Sequence, residues 1–332
     1  MPCSPAPRTT SGRRFPDTVS VRRAGAVTII ALLAAAVMLG ARPIRYEVDG
    51  LSMAPGLMPG DTVATDWLPL ADRVRHPRRF ERWIVDAADG TATIKRVAGL
   101  PGEEVAIHDG DLLVDGETVL KSPTILGEVA LPVNVPIERT DGHVRIPPAD
   151  VLDDATFATE VNRSLESVHD VGIVAVVRAG PNGSRARVAV GDVWIVWRLP
   201  AGVCCRLIAG RLDGRLVAVA WIDRDAAPAD DRRSVLPDRA PTAWTVAVLW
   251  PQGMAGPTEA GCSVSVDTGG KVEHIAAWGD IHYRPSMDGP TTWRLDADSF
   301  LVLGDFPTGS VDSRVWGPRP RHALRHRVAP KR

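Results

Sequence analysis

The sequence predicts a mainly β protein standing behind a single N-terminal transmembrane helix. Three observations predict it. Short apolar runs of strand length recur after residue 45, among them TVATDWL, TATIKRVAGL, GIVAVVRAG and AWTVAVLW, and Gly, Pro or Asp punctuates them. No long amphipathic helical period follows residue 45. One early stretch, Ala24–Ala41, holds no charged residue at all.

Composition narrows the function classes. Of 332 residues, 45% are hydrophobic and 24% charged, which is globular and not disordered. The net charge of -1 gives no global field to draw in nucleic acid. The four cysteines show no CxxC spacing and the histidines are scattered, so no metal, redox pair or cofactor is expected. Whether Cys204 or Cys205 pairs with Cys262 stays open, because spacing does not fix geometry.

Taken in order, residues 1–23 form a basic tail in which Arg8, Arg13, Arg14, Arg22 and Arg23 face one acid, Asp17. Residues 24–44 reach the length of about 20 needed to cross a bilayer. The excess of arginine before them places the N-terminus in the cytoplasm and the rest of the chain on the outer face of the cytoplasmic membrane, with the lipid bilayer as a partner. A cleaved signal peptide is the rival reading, against which stand the length of the apolar run and Pro43. Residues 45–119 read as strands, with Asp109-Gly110 and Asp115-Gly116 as hairpin turns. Residues 120–295 continue in the same manner without a chemical motif. Residues 296–320 hold a strand, Ser299–Leu303, that runs into a loop dense in Gly, Asp and Ser. Residues 321–332 are a basic tail, and the Pro- and Arg-rich stretch 318–332 is expected to be poorly ordered.

Three segments carry chemistry. Val48–Asp61 (VDGLSMAPGLMPGD) sets Ser52 among Gly and Pro, on backbone able to expose a hydroxyl. Thr93–Glu103 (TIKRVAGLPGE) sets Lys95 inside a β-branched apolar run. Burying a lysine is costly because desolvation disfavours the charged form. That same cost makes a neutral amine, which is what a serine hydroxyl needs as its base. Leu301–Pro320 (LVLGDFPTGSVDSRVWGPRP) supplies Ser310 as a hydroxyl partner for such an amine, and Asp312 with Arg314 as a brace.

Together these segments resemble the type I signal peptidase family. SMAPGLMPGD is similar to its nucleophile box, IKRVAGLPGE to its lysine box, and GDFPTGSVDSRVWGP to its Gly-Asp…Ser-x-Asp-Ser-Arg box, in the family's order. The resemblance implies a membrane-bound serine endopeptidase with a Ser52/Lys95 dyad, supported by Ser310, Asp312 and Arg314. It implies an oxyanion site built on the backbone N–H of Ser52, with Gly50 offering no side-chain donor. Met53 and Leu57 would line shallow pockets for the small residues of an Ala-x-Ala cleavage site. The implied partners are the signal peptides of exported preproteins, with no metal and no nucleic acid, and the implied fold is a β-rich core that pairs an extended substrate with an exposed strand. Against the family pattern, residues 120–295 form a long inserted second domain. Gly56 stands where Thr is usual, and Phe306-Pro307 where Asn-Arg is usual, which puts the bracing of that loop in question. Two other readings remain: a relative dedicated to few substrates, as in pilin processing for conjugative transfer, and a membrane-tethered binding ectodomain without catalysis.

Overall fold

The computed structural model describes residues 43–66, 75–140, 143–153, 165–222, 246–252, 256–267, 269–286 and 289–329. The tail 1–23 and all of the expected span 24–44 except Pro43 and Ile44 lie outside them. Among the described residues no helix is long and apolar enough to cross a membrane. There the mainly β expectation holds: five sheets, all with antiparallel pairings, and α-helices no longer than the seven residues Pro123–Val129.

The sheet that carries Lys95 has the order Arg319–Pro320, Ser299–Leu303, Ala92–Gly99, Arg82–Asp86, Leu324–Arg327. The lysine strand is therefore the central one, and from Lys95 to Gly99 every residue is buried. Alternation along its neighbour sends Ile84 one way and Trp83 and Val85 the other. Ile84 packs with Val48, Met53, Leu57, Val63 and Val328. Trp83 and Val85 pack with Val97, Phe300, Val302 and Leu324.

The basic tail departs from expectation. Leu324–Arg327 is an edge strand on Arg82–Asp86, with His326 opposite Ile84. Its arginines find fixed partners instead of solvent. Arg327 reaches Asp66 at 2.9 Å and Glu81 at 3.1 Å, and the Arg321 guanidinium stacks over the Trp83 ring at 5.1 Å. A Pro- and Arg-rich composition reads as disorder only when those charges lack partners, and the partners here lie far away in sequence.

A second core sheet runs Thr292–Arg294, Glu104–His108, Asp111–Val114, Glu117–Thr118. Its two hairpin turns are the expected ones. Asp109 and Gly110 have φ of 49° and 89°, Asp115 and Gly116 51° and 83°, the left-handed pairs that type I′ turns require. Thr292–Arg294 pairs with Glu104–His108 at the edge of this sheet, and so short a strand carries too little pattern to be seen in the sequence.

The intervening chain builds two sheets that pack face to face. One runs Val193–Leu199, Ser184–Val190, Cys262–Val266, His143–Ile146, Glu138–Thr140. The other runs Val246–Gln252, Arg215–Ile222, Cys204–Leu212, Val171–Arg178, Lys271–Gly279, Leu131–Pro132. Alternate residues of both, such as Val188, Val264, Ile173, Leu207 and Ala218, meet in one apolar core. Cys205 and Cys262 sit in that core, and neither Cys204 nor Cys205 forms a disulfide with Cys262, so the bridge left open by the sequence does not form. On the far face of the second sheet, Leu126 and Ala130 cover Val174, Ile208 and Trp278, so Val171–Arg178 is buried on both sides. Through Pro123–Val129 these two sheets thus lean on the sheet of Glu104–His108, since Ile125 and Val129 pack with Ile107 and Leu112.

Candidate active site

The nucleophile segment is a compact loop closed at its base by Val48 N–H to Asp61 O (2.9 Å) and Gly60 N–H to Val48 O (2.7 Å). Inside it Leu57 N–H bonds Met53 O, and the Asp61 carboxylate accepts from Met58 N–H. Met53 and Leu57 point into the apolar cluster under the sheet, each 1% exposed. Ser52 stays half-buried above them.

Gly304 is where the distant segments converge. A methyl group on its Cα would collide with Ser310 Oγ and would stand 2.5 Å from the carbonyl oxygen of Ser52. Only glycine lets the Ser52 backbone and the Ser310 hydroxyl approach the same point. The next residues extend the contact, with Phe306 N–H donating to Ser52 O at 3.1 Å and the Phe306 ring packing on Ala54, Leu51 and Met58. The unusual Phe306-Pro307 pair therefore braces the nucleophile loop, and the Pro307 carbonyl accepts from Arg314 Nη2 at 2.8 Å. Gly56, the other departure, is answered too. A Cβ there would collide with the carbonyl oxygen of Glu128 on the short helix.

Lys95 is 2% exposed, and its Nζ donates to Ser310 Oγ at 3.2 Å. Ser310 passes its own proton bond to Asp312 Oδ2 at 2.8 Å, and Gly304 N–H donates to the same oxygen at 2.9 Å. Arg314 clamps Asp312 with Nε at 2.8 Å and Nη2 at 2.7 Å, and its Nη1 reaches the Arg284 carbonyl. Lys95, Ser310, Asp312 and Arg314 are thus one hydrogen-bonded chain, and Ser52 is held against it through Gly304 and Phe306. Burial brings the Lys95 amine down to about 8 from 10.5; Asp312 and Asp305 pull the other way, while Arg314 adds to the depression.

Beside Lys95 lies a pair that sequence reasoning passed over. Arg96, 1% exposed, grips Asp305 through Nε–Oδ1 at 2.7 Å and Nη2–Oδ2 at 2.6 Å. Its Nη1 donates to the Phe80 carbonyl and to Glu128 Oε2. This fork ties the lysine strand to the loop that presents Ser310. The available signal was an arginine directly after the lysine and an aspartate directly after Gly304.

The second cluster of ionisable groups lies elsewhere. Asp111, Asp170, Asp213 and Asp280 each bring one carboxylate oxygen to within 4.8 Å of the others, at the edge of a cavity of about 780 Å³. Nothing in the sequence spacing marks this group, since its members come from four separate strand ends.

Known proteins resemble parts of the chain. Residues 21–164 match the family model for signal peptidase, peptidase S26. Signal peptidase I V of Bacillus subtilis (strain 168) is 34% identical over 76 residues, which are 23% of this chain and 44% of that relative. The match thus spans less than half of the relative's own length. The family match includes Ser52 and Lys95 and stops short of Ser310.

Proposed function

We propose, from the premise that this chain belongs to the signal peptidase family, that it is a serine endopeptidase releasing signal peptides from exported preproteins after Ala-x-Ala, with a Ser52/Lys95 dyad. The observation that carries the reading is Lys95: a buried amine, held near 8, hydrogen-bonded to Ser310 Oγ.

In this mechanism neutral Lys95 takes the Ser52 proton as Oγ attacks the scissile carbonyl. The Ser52 N–H donates to the oxyanion that forms. Collapse expels the new N-terminus of the mature protein as an amine, which receives the proton from the Lys95 ammonium. Water then attacks the acyl-enzyme, with Lys95 again the base, and frees Ser52 and the signal peptide. Ser310 holds the amine in line, and Asp312 and Arg314 hold Ser310. Met53 and Leu57 shape the shallow pockets from beneath. Residues 24–44 are the proposed anchor, with the N-terminus in the cytoplasm and the catalytic domain on the outer face. Val311 and Val315, 62% and 63% exposed beside Ser310 and Arg314, offer apolar surface to a signal peptide or to lipid.

The test is cleavage of a preprotein by the detergent-solubilised full chain, wild type beside Lys95→Ala, with the product N-terminus sequenced. A cut after Ala-x-Ala that the variant loses supports the reading. A folded wild type that cuts none of several preproteins removes it, in favour of a peptidase dedicated to few substrates or a binding ectodomain.

A further inference from the structure

Four aspartates meet where the inserted sheets join the core. Asp111 opens a core strand, Asp170 precedes Val171–Arg178, Asp213 sits in the turn after Cys204–Leu212, and Asp280 follows Lys271–Gly279. Lys121 lies among them, fully buried, its Nζ bonded to Asp213 and, at 2.6 Å, to Asp280 Oδ2. Its own N–H donates to Asp213 Oδ2. Arg211 Nε stands 3.2 Å from Asp170 Oδ1, and Gly214 N–H donates to Asp170 Oδ2.

With every carboxylate ionised, the charges do not balance. Four carboxylates face one ammonium and one guanidinium, which leaves an excess of two negative charges. Leaving buried charge uncompensated is costly. An independent sign of a missing partner is Asp280 Oδ1. Asp280 is 1% exposed, and this oxygen has no hydrogen-bond partner, although its twin oxygen is held by Lys121. Asp111 and Asp170 line the adjoining cavity of about 780 Å³, so the cluster has an entrance from solvent.

We propose that Asp111, Asp170, Asp213 and Asp280 form a binding site for a hard divalent cation, Ca²⁺ by size, reached from this cavity. Carboxylate oxygens are hard donors that suit Ca²⁺ and Mg²⁺ and not a thiophilic metal. Opposite oxygens of a Ca²⁺ shell lie about 4.6–5.2 Å apart, those of a Mg²⁺ shell about 4.0–4.2 Å. Four oxygens that lie within 4.8 Å of one another fit inside the Ca²⁺ shell. The ion would take up the double negative excess on the side of the cluster away from Lys121, including the free oxygen of Asp280. It would also fasten a core strand to three strand ends of the inserted part, so its role is structural and lies apart from the Ser52/Lys95 site. The expectation of no metal came from Cys and His spacing, which is silent on aspartates gathered from distant turns. In the absence of the ion, burial and the Asp170 charge push Asp111 up to about 8 against the pull of Lys121, and burial pushes Asp280 up to about 7.

The experiment strips the full chain with EDTA and titrates it with CaCl₂ at pH 8.5, reading heat of binding and Tm. Saturable binding at a single site and a rise of several degrees in Tm are expected. Asp111→Asn, whose side chain makes no ion pair with Lys121, should fold and keep the stripped Tm while losing the Ca²⁺ response. Asp280→Asn should lose it as well, with a lower stripped Tm. Three results overturn the proposal: no saturable binding of Ca²⁺, Mg²⁺ or Mn²⁺ to the wild type, which would mean that protons alone balance the cluster; tighter binding of Mg²⁺ than of Ca²⁺; or Ca²⁺ binding unchanged in both variants.

Discussion

Arg96 and Asp305, 209 positions apart, are locked by two parallel hydrogen bonds of 2.7 and 2.6 Å in a place where neither side chain meets solvent. Removing one member of such a pair leaves the other charge buried alone. Asp305→Ala should therefore destabilise the fold by about 3–5 kcal/mol. Chemical denaturation measures it; a loss under about 1 kcal/mol would mean that Glu128 alone suffices for Arg96.

Ser52→Ala and Lys95→Ala should each abolish preprotein cleavage while leaving the circular dichroism spectrum near wild type. Lys95→Arg should fail equally, because a guanidinium does not give up its proton in a protein. Cleavage retained in any of the three would remove the dyad from the mechanism.

The pH dependence follows from the direction of the Lys95 shift. The amine acts only when neutral, so kcat/KM should rise with pH through about 8 and level off above it. Stability carries the matching signature. The folded pKa of about 8 lies below the ordinary 10.5, so between these values the unfolded chain binds more protons than the folded one. Unfolding free energy should then climb by about 3 kcal/mol from pH 8 to 10.5, with the whole cost carried below pH 8. Lys95→Met should lose this climb, which pH-dependent denaturation would show.

Ser310→Ala removes the acceptor that orients Lys95 Nζ. Losing one such bond costs about 1 kcal/mol or somewhat more, so kcat should drop about tenfold or further, with KM little changed. A change confined to KM would assign Ser310 to substrate binding instead.

Gly304→Ala tests the convergence itself. The added methyl would press on Ser310 Oγ and on the Ser52 carbonyl together. Overpacking of this kind costs about 1–3 kcal/mol, and activity should fall more than stability suggests, because both contacts belong to the site. A fully active variant would show that the loop yields freely.

The strands and hairpin turns were legible because their signals are local. Asp109-Gly110 and Asp115-Gly116 need only their own φ values, and Ala92–Gly99 announces itself by its run of apolar residues. Motif singles out Lys95, Ser52 and Ser310 as candidates, and the structure adds what motif lacks, the meeting point at Gly304. What sequence did not reveal is non-local pairing. Arg327 reads as a loose charge until Asp66 and Glu81 stand beside it. Asp213 and Asp280 read as turn residues until Lys121 joins them. Phe306 reads as a defect in a motif until its ring meets Ala54.

The 215 positions between Lys95 and Ser310 also set a clock. A ribosome adding about 5–20 residues per second needs roughly 10–40 s to pass from one to the other. During that interval a growing chain already carries its serine and its lysine, yet the hydroxyl that holds the amine and the strand Ser299–Leu303 on one side of the lysine strand are still to be made. Under the proposed mechanism, full proteolytic competence would be postponed to a late stage of biosynthesis.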